Sequence, residues 1–177
     1  SSLMIVVAGA SEPKVTEIVN LSDTAYRDID TDCAYVFEDV VLVDEYGMYV
    51  NTENNQELKT FYFVVFEDKD GELCYASFEV GSNPELARKC EEYIKDDTQQ
   101  IGDMLLDGLC SAQLISGLSS DMQGFYRTAY TSTSLKLPGK NSGIHFVYEA
   151  ATEEEFLANQ KNDTTTMTIV GGVMMAL

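Results

Sequence analysis

The run FYFVVF, Phe61 to Phe66, has no charged residue on either side of its two-residue repeat. A strand turns alternate side chains to opposite faces, so such a run needs cover on both. It predicts a strand buried on both faces, central to a sheet or barrel. Upstream, CAYVFEDVVLVDEYGMYV, Cys33 to Val50, is rich in Val, Tyr and Phe, and Asp44, Glu45 and Gly47 mark a bend that divides it into two expected strands. Downstream, Asp70-Gly71 can supply the positive backbone dihedrals of a tight turn, so the segment around it reads as a hairpin. In its second arm Cys74, Ala76, Phe78 and Val80 share one face and Tyr75, Ser77 and Glu79 the other, the pattern of a half-buried strand.

Helix signals follow. Ser82 with Glu85 matches a capping box, Pro84 suits a first helical turn, and Leu86, Cys90, Tyr93 and Ile94 fall on one stripe. A glycine-punctuated apolar segment from Ile101 to Gly117 predicts another strand. A second helix is expected from Ser120 or Asp121 to Tyr130, turning Met122, Phe125, Tyr126 and Ala129 to the core. IHFVYEA is then a strand, and Thr152 with Glu155 opens a short third helix. VTEIVN, near the start, suits a short helix or a strand equally. The order predicts an α+β domain, mainly antiparallel, as a small sheet or partly open OB-like barrel with two to three helices.

The chain carries 30 Asp and Glu against 11 Lys and Arg, a formal net charge of −19. The scattered basic residues form no phosphate-neutralising track, so nucleic acid is not an expected partner. Four cysteines, Cys33, Cys74, Cys90 and Cys110, include no C-x-x-C pair, which disfavours zinc. They read as buried thiols, with disulfides left open for an oxidising compartment.

No catalytic constellation emerges. His145 is the only histidine and sits inside an apolar strand, so a structural role is expected of it. Asp68, Asp70 and Glu72, with Glu67, place carboxylates around one turn and are weak calcium candidates. Phe66 occupies what would be the first ligand position of an EF-hand loop, so a solvated hairpin tip is the preferred reading. No metal or other cofactor is expected. Tyr35, Tyr46, Tyr49, Tyr62 and Tyr75 are the candidate ligand-binding residues, because aromatic rings along a sheet face supply contact area at low entropy cost.

Both ends are apolar. Leu3 to Ala10 lacks the basic region of a signal peptide, and no charged residue follows Asp163. Met167 to Leu177 would extend only about 16 Å as a helix, short of the roughly 30 Å of a bilayer core. Residues 1–10 and 166–177 are expected to be stubs of membrane helices, or else core segments, around a single globular domain over 11–165. With GLCSAQLISGLSSDMQGFYRTAY, this arrangement resembles uncharacterised bacterial membrane-anchored proteins that carry an extracytoplasmic OB-like or α+β domain. The resemblance implies no catalytic residues, and it implies an extracytoplasmic domain at the cell membrane that binds a protein, peptide or envelope component. A soluble protein, and a carboxylate-dependent hydrolase acting on glycans, are the alternatives.

Overall fold

A computed structural model describes residues 17–51, 53–54, 56–132 and 138–161. The two apolar end runs, and with them the outer limits of the expected 11–165 domain, lie outside the described residues. Six strands are present: β1 (Glu17–Asn20), β2 (Cys33–Asn51), β3 (Gln56–Glu67), β4 (Leu73–Glu79), β5 (Leu105–Leu114) and β6 (Lys140–Ala150). Helix α1 (Pro84–Lys95) joins β4 to β5, and α2 (Ser120–Thr131) joins β5 to β6. A third helix, α3, covers 153–161. No helix among the described residues is long and apolar enough to cross a membrane.

The strand order is β1-β2-β3-β4-β6-β5, and a further pairing of β2 with β5 closes β2 to β6 into a five-stranded barrel. Four of its five pairings are antiparallel and β4–β6 is parallel, while β1 adds to β2 in parallel from outside. The α+β class and OB-like barrel with three helices follow directly from these pairings.

β2 departs from expectation. It is one 19-residue strand, not two. Asp44, Glu45 and Gly47 coincide with register irregularities in the β2–β3 ladder, so the polar residues bend the strand without ending it. A larger irregularity between Phe37 and Val40 includes Asp39, at φ 52°. There β2 changes its main partner: residues 34–41 pair with β5, and residues 41–51 with β3.

The barrel interior is aromatic. Tyr35, Phe37, Phe66, Phe78 and Phe146 are buried together, with Phe37 and Phe146 edge to face at a centroid distance of 5.0 Å. Such packing adds about 1 kcal/mol per pair beyond area burial. Leu86, Ala87, Cys90, Tyr93 and Ile94 of α1 pack on the same core, as their helical spacing predicts. The α1 cap is Asn83, whose Oδ1 accepts the Leu86 N–H at 3.0 Å, one residue beyond the expected Ser82. All four cysteines are free, three of them buried. Burial pushes the Cys74 and Cys90 thiols up to about 12, leaving them protonated and inert at neutral pH.

Two outer clusters complete the packing. α2 sets Tyr126, with Ala129 and Tyr130, against Phe63, Val65 and Tyr75 on the outside of β3 and β4. Phe156 of α3 joins Ala34, Leu109 and Ala150 on the β2–β5 side. Thr152 Oγ1 accepts the Glu155 N–H at 3.2 Å, the cap read from the sequence. Phe125 is the exception on α2: it is 50% exposed, although its spacing predicts a core position.

Gly108 is a point of close approach. Its φ is 136°, and a Cβ there would stand 2.7 Å from the Ala150 carbonyl oxygen and 2.6 Å from the Tyr148 ring. Gly108→Ala is expected to cost roughly 3 kcal/mol, a fall in Tm of about 9 °C. Gly117→Ala, where nothing lies within 4 Å of the added Cβ, should move Tm by less than about 2 °C in the same thermal melts.

Candidate functional site

The barrel face that OB folds use for ligands is the outer surface of their second and third strands, here β3 and β4. Side-chain alternation puts Lys59, Phe61, Phe63 and Val65 of β3 on that surface, with Tyr75, Ser77 and Glu79 of β4. β6 extends it with His145, which the parallel ladder sets beside Ser77. One end lies beneath α2. The other carries a line of polar groups.

Tyr46 Oη lies 2.5 Å from Ser77 Oγ, and Ser77 Oγ lies 2.7 Å from His145 Nδ1. His145 Nε2 faces Glu79 Oε1 at 3.5 Å, and Glu79 Oε2 stands 2.6 Å from Lys59 Nζ. The partners define the protons. A carboxylate has only acceptors, so the histidine proton belongs on Nε2. Nδ1 then accepts from the Ser77 hydroxyl, and Ser77 accepts from Tyr46. Phe61 lies against the imidazole at a centroid distance of 5.4 Å, with the Lys59 ammonium 5.6 Å from the centre of the Phe61 ring.

Burial sets the chemistry of this line. Ser77 is 0%, His145 1% and Glu79 5% exposed. Burial pushes the Tyr46 phenol up to about 12 despite its Ser77 contact, so Tyr46 stays protonated as a donor. Burial also works to raise the Glu79 carboxyl, but His145 and Lys59 outweigh it and the net shift is downward. Glu79 is therefore an anion. The Lys59 ammonium, 2.6 Å from its Oε2, is its counter-ion.

A serine, a histidine and a carboxylate in sequence suggest a nucleophile with its base. The surroundings argue against hydrolysis at this serine. Ser77 is fully buried in mid-strand, and its hydroxyl is engaged by Tyr46 on one side and His145 on the other. The line is a closed polar network that fixes β3, β4 and β6 to one another.

The five tyrosines do not form one face. Tyr35 and Tyr62 point into the barrel core, and Tyr35 Oη accepts the Asp30 N–H at 2.6 Å. Tyr75 is buried under α2. Tyr46 and Tyr49 lie on the outer side near α2, where Tyr49 Oη meets Ser119 Oγ at 2.5 Å and the Tyr49 ring lies 5.6 Å from that of Phe61. Tyr49, 38% exposed, is the one of the five with substantial access to a partner.

The acidic turn is likewise divided. Asp68 is 4% exposed; its Oδ2 accepts the Tyr26 N–H at 3.0 Å, and its Oδ1 accepts those of Asp70 and Glu72 at 2.9 Å each. Asp70 and Glu72 are exposed. Among the described residues no three His, Cys, Asp or Glu side chains converge as a metal site. Asp68 serves as the anchor of the β3–β4 turn. Compared with known families, curated proteins and solved structures, the chain matches none of them.

The Asp68 carboxyl has a pH signature. Burial works to raise it, but the backbone hydrogen bonds from Tyr26, Glu72 and Asp70 outweigh burial and lower it. A carboxyl depressed in the folded state stabilises above its unfolded value, near 3.9, and loses that contribution as pH falls through the folded value. Asp68→Asn is expected to lower stability by about 2 kcal/mol between pH 5 and 8. In urea titrations the difference from wild type should shrink below about pH 4; a difference that grows in acid would contradict the assignment.

Proposed function

We propose that this chain is a non-enzymatic binding module, the extracytoplasmic domain of a membrane-anchored protein, which recognises a protein, peptide or envelope component. One observation carries the reading. The polar groups that resemble catalytic machinery are sealed, whereas large apolar side chains stand exposed on an otherwise strongly acidic chain. Met48 is 41%, Tyr49 38% and Val50 41% exposed at the end of β2, and Phe125 is 50% exposed on α2. Phe125 and Tyr49 belong to one region: a Cβ on Gly47 would lie 3.3 Å from the Phe125 ring, and Tyr49 reaches the α2 cap at Ser119. Exposed apolar patches rimmed by polar residues mark interaction surfaces.

The charge supports a partner that is neither nucleic acid nor an anionic bilayer surface. Membrane attachment rests on the apolar runs Leu3 to Ala10 and Met167 to Leu177, and the bacterial family on these together with the segment GLCSAQLISGLSSDMQGFYRTAY. Carboxyls shifted by their surroundings, such as Asp68 and Glu79, move down, away from the raised value a glycan hydrolase needs in its general acid.

Two experiments on the full-length protein in its own cells test this reading. A photo-crosslinking amino acid at position 125 should give a discrete adduct that Tyr49→Glu abolishes. The same adduct from position 92 on α1, or none from 125, would reject the surface. A membrane-impermeant maleimide should label Ser116→Cys in intact cells; labelling only after lysis would reject the extracytoplasmic placement.

A further inference from the structure

The two longer helices handle their charges differently. On α1 every basic residue is paired within the helix, Arg88 with Glu92, Lys89 with Glu85 and Lys95 with Glu91, each four residues apart. α2 carries one acid, Asp121, and one base, Arg127, both exposed. No opposite charge stands three or four residues from either, and among the described residues neither has an ion pair.

Midway between these two charges is Gly124. Nothing lies within 4 Å of a Cβ built there. Glycine inside a helix destabilises it relative to alanine, so at so open a position it brings the helix itself no benefit. What it permits is the close approach of a second backbone. Beside it, Phe125 rests against Gly47 and is still 50% exposed. α2 docks through Met122, Tyr126 and Ala129, which leaves Asp121, Gly124, Phe125 and Thr128, three and four residues apart, on its outer face.

The spacing is self-complementary. Asp121 is three residues before Gly124 and Arg127 three residues after it. A second α2 laid antiparallel across Gly124 therefore sets each Asp121 level with the Arg127 of the other copy. A two-fold, isologous contact imposes that reversal. It also brings the two Phe125 rings, one residue from the centre, to the same side of the seam.

We propose that the partner recognised by this surface is a second copy of the same chain, bound as a two-fold dimer in which α2 crosses its counterpart at Gly124. The inference rests on the reading of the domain as a binding module and names its partner. The net charge of −19 opposes approach at long range, but at physiological ionic strength it is screened beyond about 8 Å. Paired opposite charges at the contact then fix the register, and like charges there would forbid it.

The test is sedimentation equilibrium of the full chain at 0.15 M salt. Wild type should dimerise, and Asp121→Arg and Arg127→Asp should each weaken self-association about tenfold or more, because each sets like charges opposite one another. An equimolar mixture of the two variants should form a heterodimer nearly as tight as wild type, since both cross-pairs are then opposite in charge; this rescue also shows that the variants are folded. Gly124→Leu should abolish the dimer without lowering Tm. Net repulsion alone predicts tighter association in Asp121→Arg, which is less negative, and that result overturns the pairing. Association through the apolar end runs leaves every variant as dimeric as wild type, which also overturns it, as does a mixture that stays monomeric. A monomeric wild type overturns this inference and leaves the binding-module reading to the crosslink at position 125, where an adduct containing a different protein would identify the partner instead.

Discussion

The hydrogen bonding of β2 to two different strands is the constraint on which the rest of the molecule depends. Backbone amides and carbonyls of a buried strand must be paired, and a flat five-stranded sheet would leave two edges open. β2 removes both by serving β5 with its first half and β3 with its second. The change of partner requires a local turn of the strand, located at the irregularity between Phe37 and Val40 with Asp39 at positive φ. Once β2 closes the ring, the inward residues of five strands face one another, and Tyr35, Phe37, Phe78 and Phe146 have a common interior.

Closure also decides what becomes of the outer face. A small barrel cannot bury large side chains on both sides of its strands without further cover, yet β3 and β4 carry them on both sides. α2 covers Phe63, Val65 and Tyr75, while the remainder of the face pairs its polar groups with each other, from Tyr46 through Ser77, His145 and Glu79 to Lys59. Each buried polar group left without a partner would cost about 1–3 kcal/mol, which is why a line paired from end to end is tolerated where an isolated histidine would not be.

Much of the architecture was legible in the sequence because it rests on local rules. The double-sided burial of Phe61 to Phe66, the turn at Asp70-Gly71 and the apolar stripe of α1 each follow from periodicity or turn chemistry within a few residues. The bend at Asp44 to Gly47 looked like a strand end because irregularities in a ladder and turns use the same polar residues. The outer residues of β4 read as solvent-facing because Ser77 and Glu79 are polar, and only the parallel register of β4 with β6, a non-local pairing, brings His145 beside them. Phe125 has the spacing of a core residue, but α2 docks through Met122, Tyr126 and Ala129 and leaves that ring outside. Tyrosine count alone did not distinguish rings inside the barrel from rings on it.

The central claim is that the face of β3, β4 and β6 is sealed over a complete polar line. His145, the sole histidine, gives it a direct probe: labelling with diethyl pyrocarbonate near neutral pH, followed by mass spectrometry of the peptide that contains it. The account predicts that His145 remains unmodified while the protein is folded and becomes modified once it is unfolded in urea. Rapid modification of His145 in the native protein would contradict it.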